Sequence, residues 1–532
     1  MTLSDVQVLG EVHAAAKHRR LLRRAESYRN AGLTTAAIDS LDAALSIRPD
    51  DVAALLQLAE LQLQAGRHDA GRAAIHKALQ GRLESPQIVL QVLQILNQLS
   101  ESGLMVEVAR RFSSAIWSSP QILTDAAYEL SLAGANDLAR EFAQGAFSRN
   151  PNHPRILALN AMLDVYFGDL SGAAAHSESC LQVLPGNPAS HWLVSRLGLP
   201  DAERRIARIE AALAKSPPLE DRAQLAYALH NELHETGQYE RAWEALEHAC
   251  RAKRDTLHYN QAEQDRLFQA LLGWTATEIA AADGYDADGL APIFIIGLHR
   301  SGTTLAERIL TGHSRIAQGG ETYGARAIVR RASDLHFPSE LDQRAVQTRS
   351  GFDYRAMGAD YLRGMAWRAD GLPFVTDKLP SNYYYVGFLA RALPRARFIH
   401  LNRDPIDVGL SSLRTMFSSV CGYSYSQEDF IAHWRNYRRL MDHWRSLLPE
   451  RILDVHYDEL VNDPEDVAAR MARFCGLDPE PRMVQIDKRK DAVSTASSVM
   501  VRGGIRRDRG RLWTRYERHL QPLIRAFGQS RA

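Results

Sequence analysis

Residues 292–310 read PIFIIGLHRSGTTLAERIL, and this stretch decides the fold of the C-terminal half of the chain. It contains an apolar run typical of a buried strand, a loop bounded by Gly297 and Gly302, and a segment with the apolar spacing of a helix. A strand, a glycine-containing loop and a helix in this order bring backbone N–H groups and a helix N-terminus to one anion. The stretch therefore predicts a phosphate- or sulfate-binding loop of the P-loop kind.

This loop lacks the lysine that a nucleoside-triphosphate site requires, because Thr303 follows Gly302 where that motif has Lys. Arg300 instead places a forked cation in the loop, and Thr303 and Thr304 add hydroxyl donors. Such a loop suits a single 5'-phosphate that carries a sulfuryl group, and it needs no metal. A P-loop kinase is the alternative, which Mg-dependent turnover of ATP would favour.

The rest of this half alternates strand-like and helical segments. Strand-like apolar runs occur at residues 396–401 and 451–457, with helical segments between them. Buried strands that alternate with helices predict a P-loop-like three-layer α/β domain with a parallel sheet, which we assign to residues 291–532. Residues 276–290 before it are small, acidic and glycine-bearing, and they are interpreted as a linker.

Residues 1–275 have helical periodicity with short Gly or Pro breaks. The spacings between Gly32, Gly66, Gly134 and Gly168 are 34, 68 and 34 residues, all multiples of 34. The pattern resembles the tetratricopeptide repeat and predicts an α-solenoid, although the unit near residue 100 looks degenerate. Such a solenoid usually binds an extended peptide or a protein on its concave face, while a structural brace or a platform for a homodimer is the alternative.

Composition limits the function classes. The net charge of the 532-residue chain is +1, so we expect no general attraction to nucleic acid or to a membrane surface. The four cysteines lie far apart without a CxxC pair, which argues against a disulfide framework or a zinc site. No signal segment or long apolar stretch is recognisable, and we expect a soluble, cytoplasmic protein.

Seven arginines between residues 502 and 518 suit a flap over a nucleotide, an attractor for an acidic acceptor, or a solvated helix.

The stretch 294–310 resembles the 5'-phosphosulfate loop of sulfotransferases that use 3'-phosphoadenosine 5'-phosphosulfate (PAPS), especially the branch of the tyrosylprotein sulfotransferases. His299 departs from the family, which most often has proline there. The resemblance implies that Arg403, Ser411 and Tyr457 bind the 3'-phosphate end of PAPS and of its product, 3'-phosphoadenosine 5'-phosphate (PAP). The residues that it implies for the 5' end are His299, Arg300, Ser301, Gly302, Thr303 and Thr304.

The same resemblance implies the catalytic groups. Glu321 lies 21 residues after Arg300, the distance at which the tyrosylprotein branch has its catalytic base. Lys378 matches the lysine that neutralises charge on the bridging oxygen, whereas the small-molecule branch has a histidine base in that position. Arg300 is expected to contact the sulfuryl oxygens, and Ser497 to support the transition state. These assignments favour a mechanism with a glutamate base and without a metal.

We therefore predict a PAPS-dependent sulfotransferase that acts on a hydroxyl by in-line displacement, with a protein or peptide tyrosine as the first choice of acceptor. The solenoid is a candidate surface for that acceptor, and the sequence leaves open whether the repeats bind the acceptor or a separate partner. A carbohydrate, lipid or small-molecule hydroxyl is the alternative within the same chemistry. A repeat scaffold without catalysis is the alternative from another class, and the joint presence of the arginine, glutamate, lysine and serine named above argues against it.

Overall fold

The structure is a computed structural model. It describes residues 3–83, 85–281, 283–285, 289–417, 419–489, 491–495, 498–501, 504–505 and 512–528. Ser497 and the arginines of residues 502–511 therefore lie outside the described residues.

The first half consists of successive antiparallel helix pairs, as the 34-residue spacing predicts. The glycines that set this spacing have φ between +71° and +84°, the left-handed conformation that ends a helix most easily when no Cβ is present. The helices before the first strand are α1 (Leu3–Asn30), α2 (Thr34–Leu45), α3 (Val52–Gln64), α4 (His68–Ala78), α5 (Pro86–Leu99), α6 (Ser102–Arg111), α7 (Ser113–Ile116), α8 (Pro120–Leu132), α9 (Asn136–Arg149), α10 (Pro154–Phe167), α11 (Leu170–Val183), α12 (Pro188–Val194), α13 (Ala202–Leu213), α14 (Leu219–Glu235), α15 (Tyr239–Arg254), α16 (Gln261–Leu271) and α17 (Ala276–Ala280).

The unit near residue 100 keeps the geometry of the repeat although its sequence looks degenerate. Ser100 stands 34 residues after Gly66 and has φ +62°, so it takes the left-handed turn conformation that the glycines take elsewhere. The neighbouring backbone carbonyl of Gln98 accepts a hydrogen bond of 2.9 Å from Arg330 of the C-terminal half. This turn contacts the other domain.

The second half is a three-layer α/β domain around a parallel sheet, which confirms the predicted fold class. The strands are β1 (Ala291–Gly297), β2 (Ile316–Ala317), β3 (Phe374–Asp377), β4 (Arg397–Asn402) and β5 (Ile452–His456), in the order β2-β3-β1-β4-β5. Every residue of the central strand β1 is buried. The helices are α18 (Thr303–Leu310), α19 (Gly324–Ser333), α20 (Gln343–Gln347), α21 (Tyr354–Ala369), α22 (Val386–Ala392), α23 (Pro405–Leu413), α24 (Gln427–Leu447), α25 (Tyr457–Asn462), α26 (Pro464–Phe474), α27 (Ser498–Val501) and α28 (Gln521–Phe527).

The two faces of the sheet have separate cores, as the alternation of side chains along a strand requires. Ile293 and Ile295 of β1 pack towards α18 and α26, whereas Phe294 and Ile296 pack towards α21, α22 and α24. The glycine loop follows β1 at the centre of the sheet. Ligands of open α/β sheets bind at this edge, outside the carboxyl ends of the strands.

The segment assigned as a linker is tied to the C-terminal domain where the structure describes it. Thr275 and Glu278 form a capping box at the start of α17, and Glu278 pairs with Arg349. Further on, the N–H of Tyr285 donates to the carbonyl of Ala392 at 2.9 Å. These bonds hold the described part of the connection against the α/β domain.

The solenoid contacts the α/β domain along one edge, which is formed by the turns between the two helices of successive repeats. The C-terminal unit adds a hydrogen bond from the Tyr227 hydroxyl to the carbonyl of Leu413. The contacts along the edge join Gly66 to His336, Gln98 to Arg330, Glu101 to Arg331, Ala133 to Arg368, and Tyr166 to Val493.

None of the helices in the described ranges combines the length and the apolar character that a membrane crossing requires.

Candidate active site

The loop between β1 and α18 has an unusual backbone. Arg300 has φ +73° although it carries a Cβ, and Gly302 has φ +105°. A non-glycine residue in this region is held there by its surroundings at a cost of order 1 kcal/mol, and such residues cluster at functional sites. A Cβ on Gly302 would lie 2.5 Å from the ring of Tyr457, so only glycine fits beneath this ring. The Ser301 hydroxyl is buried and has no partner within the described parts of the chain.

The residues predicted for the two ends of the nucleotide lie together. Arg300 Nε donates to Ser411 Oγ at 3.0 Å, and an Arg403 guanidinium nitrogen donates to the Arg300 carbonyl at 3.2 Å. The Arg403 guanidinium also lies 4.2 Å from the ring centre of Tyr457. β1 and β4 are neighbouring parallel strands, so the segments that follow them bring both arginines to the same edge of the sheet.

The candidate base and the candidate lysine form an ion pair. Lys378 Nζ lies 2.6 Å from Glu321 Oε1, and the Lys378 backbone N–H donates to the Gly320 carbonyl at 2.8 Å. The lysine side chain is fully buried, whereas the glutamate side chain is 36% exposed. The carboxylate is therefore the member of the pair that an incoming acceptor can reach.

Asp377 does not bond to Lys378, although the two are adjacent in sequence. Its carboxylate accepts hydrogen bonds from the hydroxyls of Thr322 at 2.7 Å and Tyr361 at 2.8 Å, and from the amide of Asn382 at 3.0 Å. Burial raises the pKa of Asp377 to about 6 against these bonds. Since Thr322 follows Glu321 directly, Asp377 fixes the backbone that carries the candidate base.

Glu307 is a further buried acid of the site and was not among the residues predicted from the sequence. Its Oε1 accepts the Gly320 N–H at 3.0 Å and the Thr376 hydroxyl at 2.8 Å. Burial raises the pKa of this carboxyl, and the charge of Lys378 opposes the rise. The sequence did contain one signal for Glu307, because this ionisable residue stands among apolar residues in α18, the helix that follows the loop.

The remaining predicted residues have the following positions. The His299 ring lies beside the Cys421 thiol and the Tyr423 hydroxyl, and burial lowers its pKa to about 4, so it is neutral near pH 7. Thr303 and Thr304 are buried at the start of α18, and the Thr304 hydroxyl donates to Thr495 Oγ1 at 3.4 Å. Ser497, two residues after Thr495, is outside the described residues.

The solenoid reaches the site, which the sequence did not predict. Burial and then the charge of Glu321 raise the pKa of Tyr166, on α10, to about 12. The carbonyl of Tyr166 accepts the Val493 N–H at 2.8 Å, and Asn136 Nδ2 donates to Ser494 Oγ at 3.4 Å. The segment that contains Thr495 is thus bonded to the repeats on one side and to the loop helix on the other.

The C-terminal arginine-rich segment packs on the solenoid where the structure describes it. Tyr516 is buried, and its hydroxyl lies 2.7 Å from His234 Nδ1. Arg515 lies 5.4 Å from the ring centre of Tyr239. No cluster of His, Cys, Asp and Glu suited to a metal ion occurs within the residues that the structure describes.

A parallel sheet whose central strand leads into a glycine loop, with two clustered arginines and a carboxylate–lysine pair nearby, defines a P-loop-like α/β domain. Residues 292–481 match the family model described as the sulfotransferase family, and residues 29–88 match the model described as the tetratricopeptide repeat. The chain thus joins tetratricopeptide repeats to a domain of the sulfotransferase family.

Curated proteins similar to this chain include one without a described activity and several named protein-tyrosine sulfotransferases. An uncharacterized protein of Aquifex aeolicus is 30% identical over 403 residues, which are 73% of this chain and 52% of that protein. Protein-tyrosine sulfotransferase 1 of Danio rerio is 27% identical over 248 residues, 43% of this chain and 65% of that protein. The chain thus spans between about half and two thirds of these relatives. A solved sulfotransferase domain from the curacin biosynthetic pathway is 19% identical, with a TM-score of 0.31 over 43% of this chain and 96% of that one.

Proposed function

We propose that this protein is a sulfotransferase that takes the sulfuryl group of PAPS and transfers it to an acceptor hydroxyl. The observation that carries the proposal is the Lys378–Glu321 ion pair, with its carboxylate partly exposed, beside a loop that contains Arg300. A base, a buried cation and a loop cation are what the transfer of an anionic group to a hydroxyl requires.

The loop suits the 5' end of the donor. Its Ser301 hydroxyl is buried and unpaired within the described parts of the chain, so an anion in the loop would satisfy a polar group that is otherwise costly to bury. Arg403, Ser411 and Tyr457 would hold the 3'-phosphate end, where a guanidinium and a hydroxyl lie within one cluster. The donor supplies an electrophilic sulfur and a phosphate leaving group.

Different residues of the chain have different roles in the transfer. Glu321 accepts the proton of the acceptor hydroxyl while the acceptor oxygen bonds to sulfur. Lys378 and Arg300 stabilise the negative charge that grows on the oxygen between sulfur and phosphorus as that bond breaks. The proton then resides on Glu321, and the leaving phosphate keeps the electron pair. Asp377 and Glu307 hold the backbone on either side of Glu321 and position it.

For the acceptor we propose a tyrosine of a protein or peptide. Two features support this choice: the glutamate in the position of the base, and the similarity to relatives named protein-tyrosine sulfotransferases. The repeats support a protein partner, because solenoids of this kind present extended surfaces to other chains.

Calorimetric titration of PAP without metal tests the donor site. We expect wild type to bind PAP and to ignore Mg-ATP. Arg403→Ala should weaken PAP binding roughly 100-fold, since hydrogen bonds to a charged group contribute about 1.5–3 kcal/mol. Arg155→Ala, which removes a surface arginine on α10 that is 69% exposed, should bind like wild type. A preference for Mg-ATP would instead favour a kinase.

A further inference from the structure

A groove of about 480 Å³ runs between the solenoid and the α/β domain. One wall consists of the turn and start of α6 and the end of α8, and the opposite wall is α21. Glu321 lines the groove together with Thr322 and Tyr323. Its volume lies within the range of small-molecule sites, so it suits one large side chain with its flanking atoms rather than a folded surface.

Most of the ionised groups that line this groove already form ion pairs. Glu101 bonds to Arg72, His76 and Arg331. On the opposite wall, Asp360 pairs with Arg331 and Arg363. An occupant therefore gains little from these charges and meets mainly the apolar walls. The apolar side chains of the lining are Leu104, Met105, Leu132, Ala133, Ala327, Ile328, Met365, Ala366 and Trp367.

Leu132 is the clearest recognition element of the solenoid wall. It lies in the last turn of α8 and is 48% exposed, although a large apolar side chain is stabilised by burial. An exposed apolar residue in a groove beside a candidate base indicates a surface that an occupant covers.

We propose that this groove, here called the acceptor groove, binds the acceptor, and that the repeat domain thereby selects a phenol presented by an extended peptide. The inference rests on the proposed function, because it assigns Glu321 as the base. A tyrosine has an apolar ring for the walls and one hydroxyl for the glutamate. A sugar would place several hydroxyls against apolar side chains without partners, which is costly.

The groove is also open to solvent along its length, as a peptide acceptor requires. Glu107 on the solenoid side and Gly364 and Ala366 on α21 are exposed and line it. Both walls thus have exposed residues at the groove, so the residues that flank the tyrosine have access to solvent there. Leu132 and Gly364 become specificity-determining residues, while the residues that hold the donor belong to the α/β domain alone.

The test compares Leu132→Arg with Leu184→Arg. Leu184 is 46% exposed, follows α11 and is not part of the groove, so it is a matched control for a new surface arginine. The assay uses PAPS, a peptide with one tyrosine, and the same peptide with serine instead. We expect Leu132→Arg to raise the KM for the tyrosine peptide about tenfold or more, as loss of an apolar contact does, and to leave PAP affinity unchanged. Leu184→Arg should match wild type in both measurements.

A second variant approaches the groove from the other wall. A Cβ on Gly364 would meet no atom within 4 Å, so Gly364→Phe adds a ring to the groove without a clash at that atom. It should raise the same KM by a similar factor. Unchanged KM values in both variants, or sulfation of the serine peptide, would overturn the assignment of the groove. Such a result is distinct from a failure of the proposed function, because the wild-type protein would still bind PAP and transfer the sulfuryl group. Failure of wild type to bind PAP would instead reject the proposed function.

Discussion

The Lys378–Glu321 pair joins catalysis to stability at the level of single residues. Lys378 is fully buried, and removing the partner of a buried charge is far more costly than removing an exposed pair. We therefore expect a variant without the Glu321 carboxylate to lose activity and also to leave the buried Lys378 ammonium group without its ion-pair partner. An experiment on Glu321 has to separate these two effects.

Two variants of Glu321 make that separation. Glu321→Gln removes the proton acceptor and should lower kcat by about 10²–10⁴, the usual contribution of a positioned base. Glu321→Asp keeps the charge that pairs with Lys378 but withdraws the carboxylate by one methylene. We expect it to retain more of the thermal stability than Glu321→Gln while kcat still falls. Equal kcat in wild type and both variants, measured with saturating PAPS, would remove Glu321 from the role of base.

At the level of elements, the glycine loop and helix α21 use glycine for different reasons. Gly302 has φ +105° and lies under the Tyr457 ring, so both its conformation and its space exclude a side chain. Gly364 lies in the middle of a helix with open space around its Cβ position. The first glycine is required by the site, and the second weakens its helix.

Alanine at these two positions should therefore act in opposite directions. Gly302→Ala should lower the free energy of unfolding by roughly 1–3 kcal/mol and weaken PAP binding, because the loop and the Tyr457 ring must shift. Gly364→Ala should raise the free energy of unfolding by about 0.5–1 kcal/mol and leave PAP binding unchanged. Denaturant unfolding and calorimetry of both variants measure this. PAP affinity equal to wild type in Gly302→Ala would show that the loop does not hold the nucleotide.

The sequence predicted the elements whose signals are local. The strand–loop–helix order at residues 292–310 and the 34-residue spacing of glycines predicted both halves of the fold, and the family match and the structure confirm them. The loop, arginine and glutamate–lysine assignments came from a resemblance, and the structure brings the described members together. The contact beside the turn at Ser100 was not predictable, because the hydrogen bond from Arg330 to the carbonyl of Gln98 joins residues 232 positions apart in the sequence.

At the level of the whole molecule, the solenoid is part of the site. Its turn edge contacts the α/β domain at successive repeats. The same edge forms one wall of the acceptor groove. The turns of the solenoid that contact the α/β domain therefore also line the groove that contains Glu321.

Glu101 is the centre of this interface and allows a test by pH. Burial alone would raise the pKa of Glu101, but hydrogen bonds from His76 and Arg72 and their charges lower it to about 2. Arg331 of the α/β domain bonds to the same carboxylate. Because the folded pKa lies below the ordinary value of 4.5, the charged form stabilises the fold above that pH, and this contribution is lost as the pH falls towards 2.

Glu101→Gln should therefore lower the free energy of unfolding by roughly 3 kcal/mol near pH 7, and the difference from wild type should shrink between pH 4.5 and 2. Glu107→Gln is the matched control, because Glu107 lies on α6, the helix that Glu101 directly precedes, and forms no ion pair among the residues described. Denaturant unfolding across this pH range measures both. A difference that stays constant with pH would contradict the role of the charge.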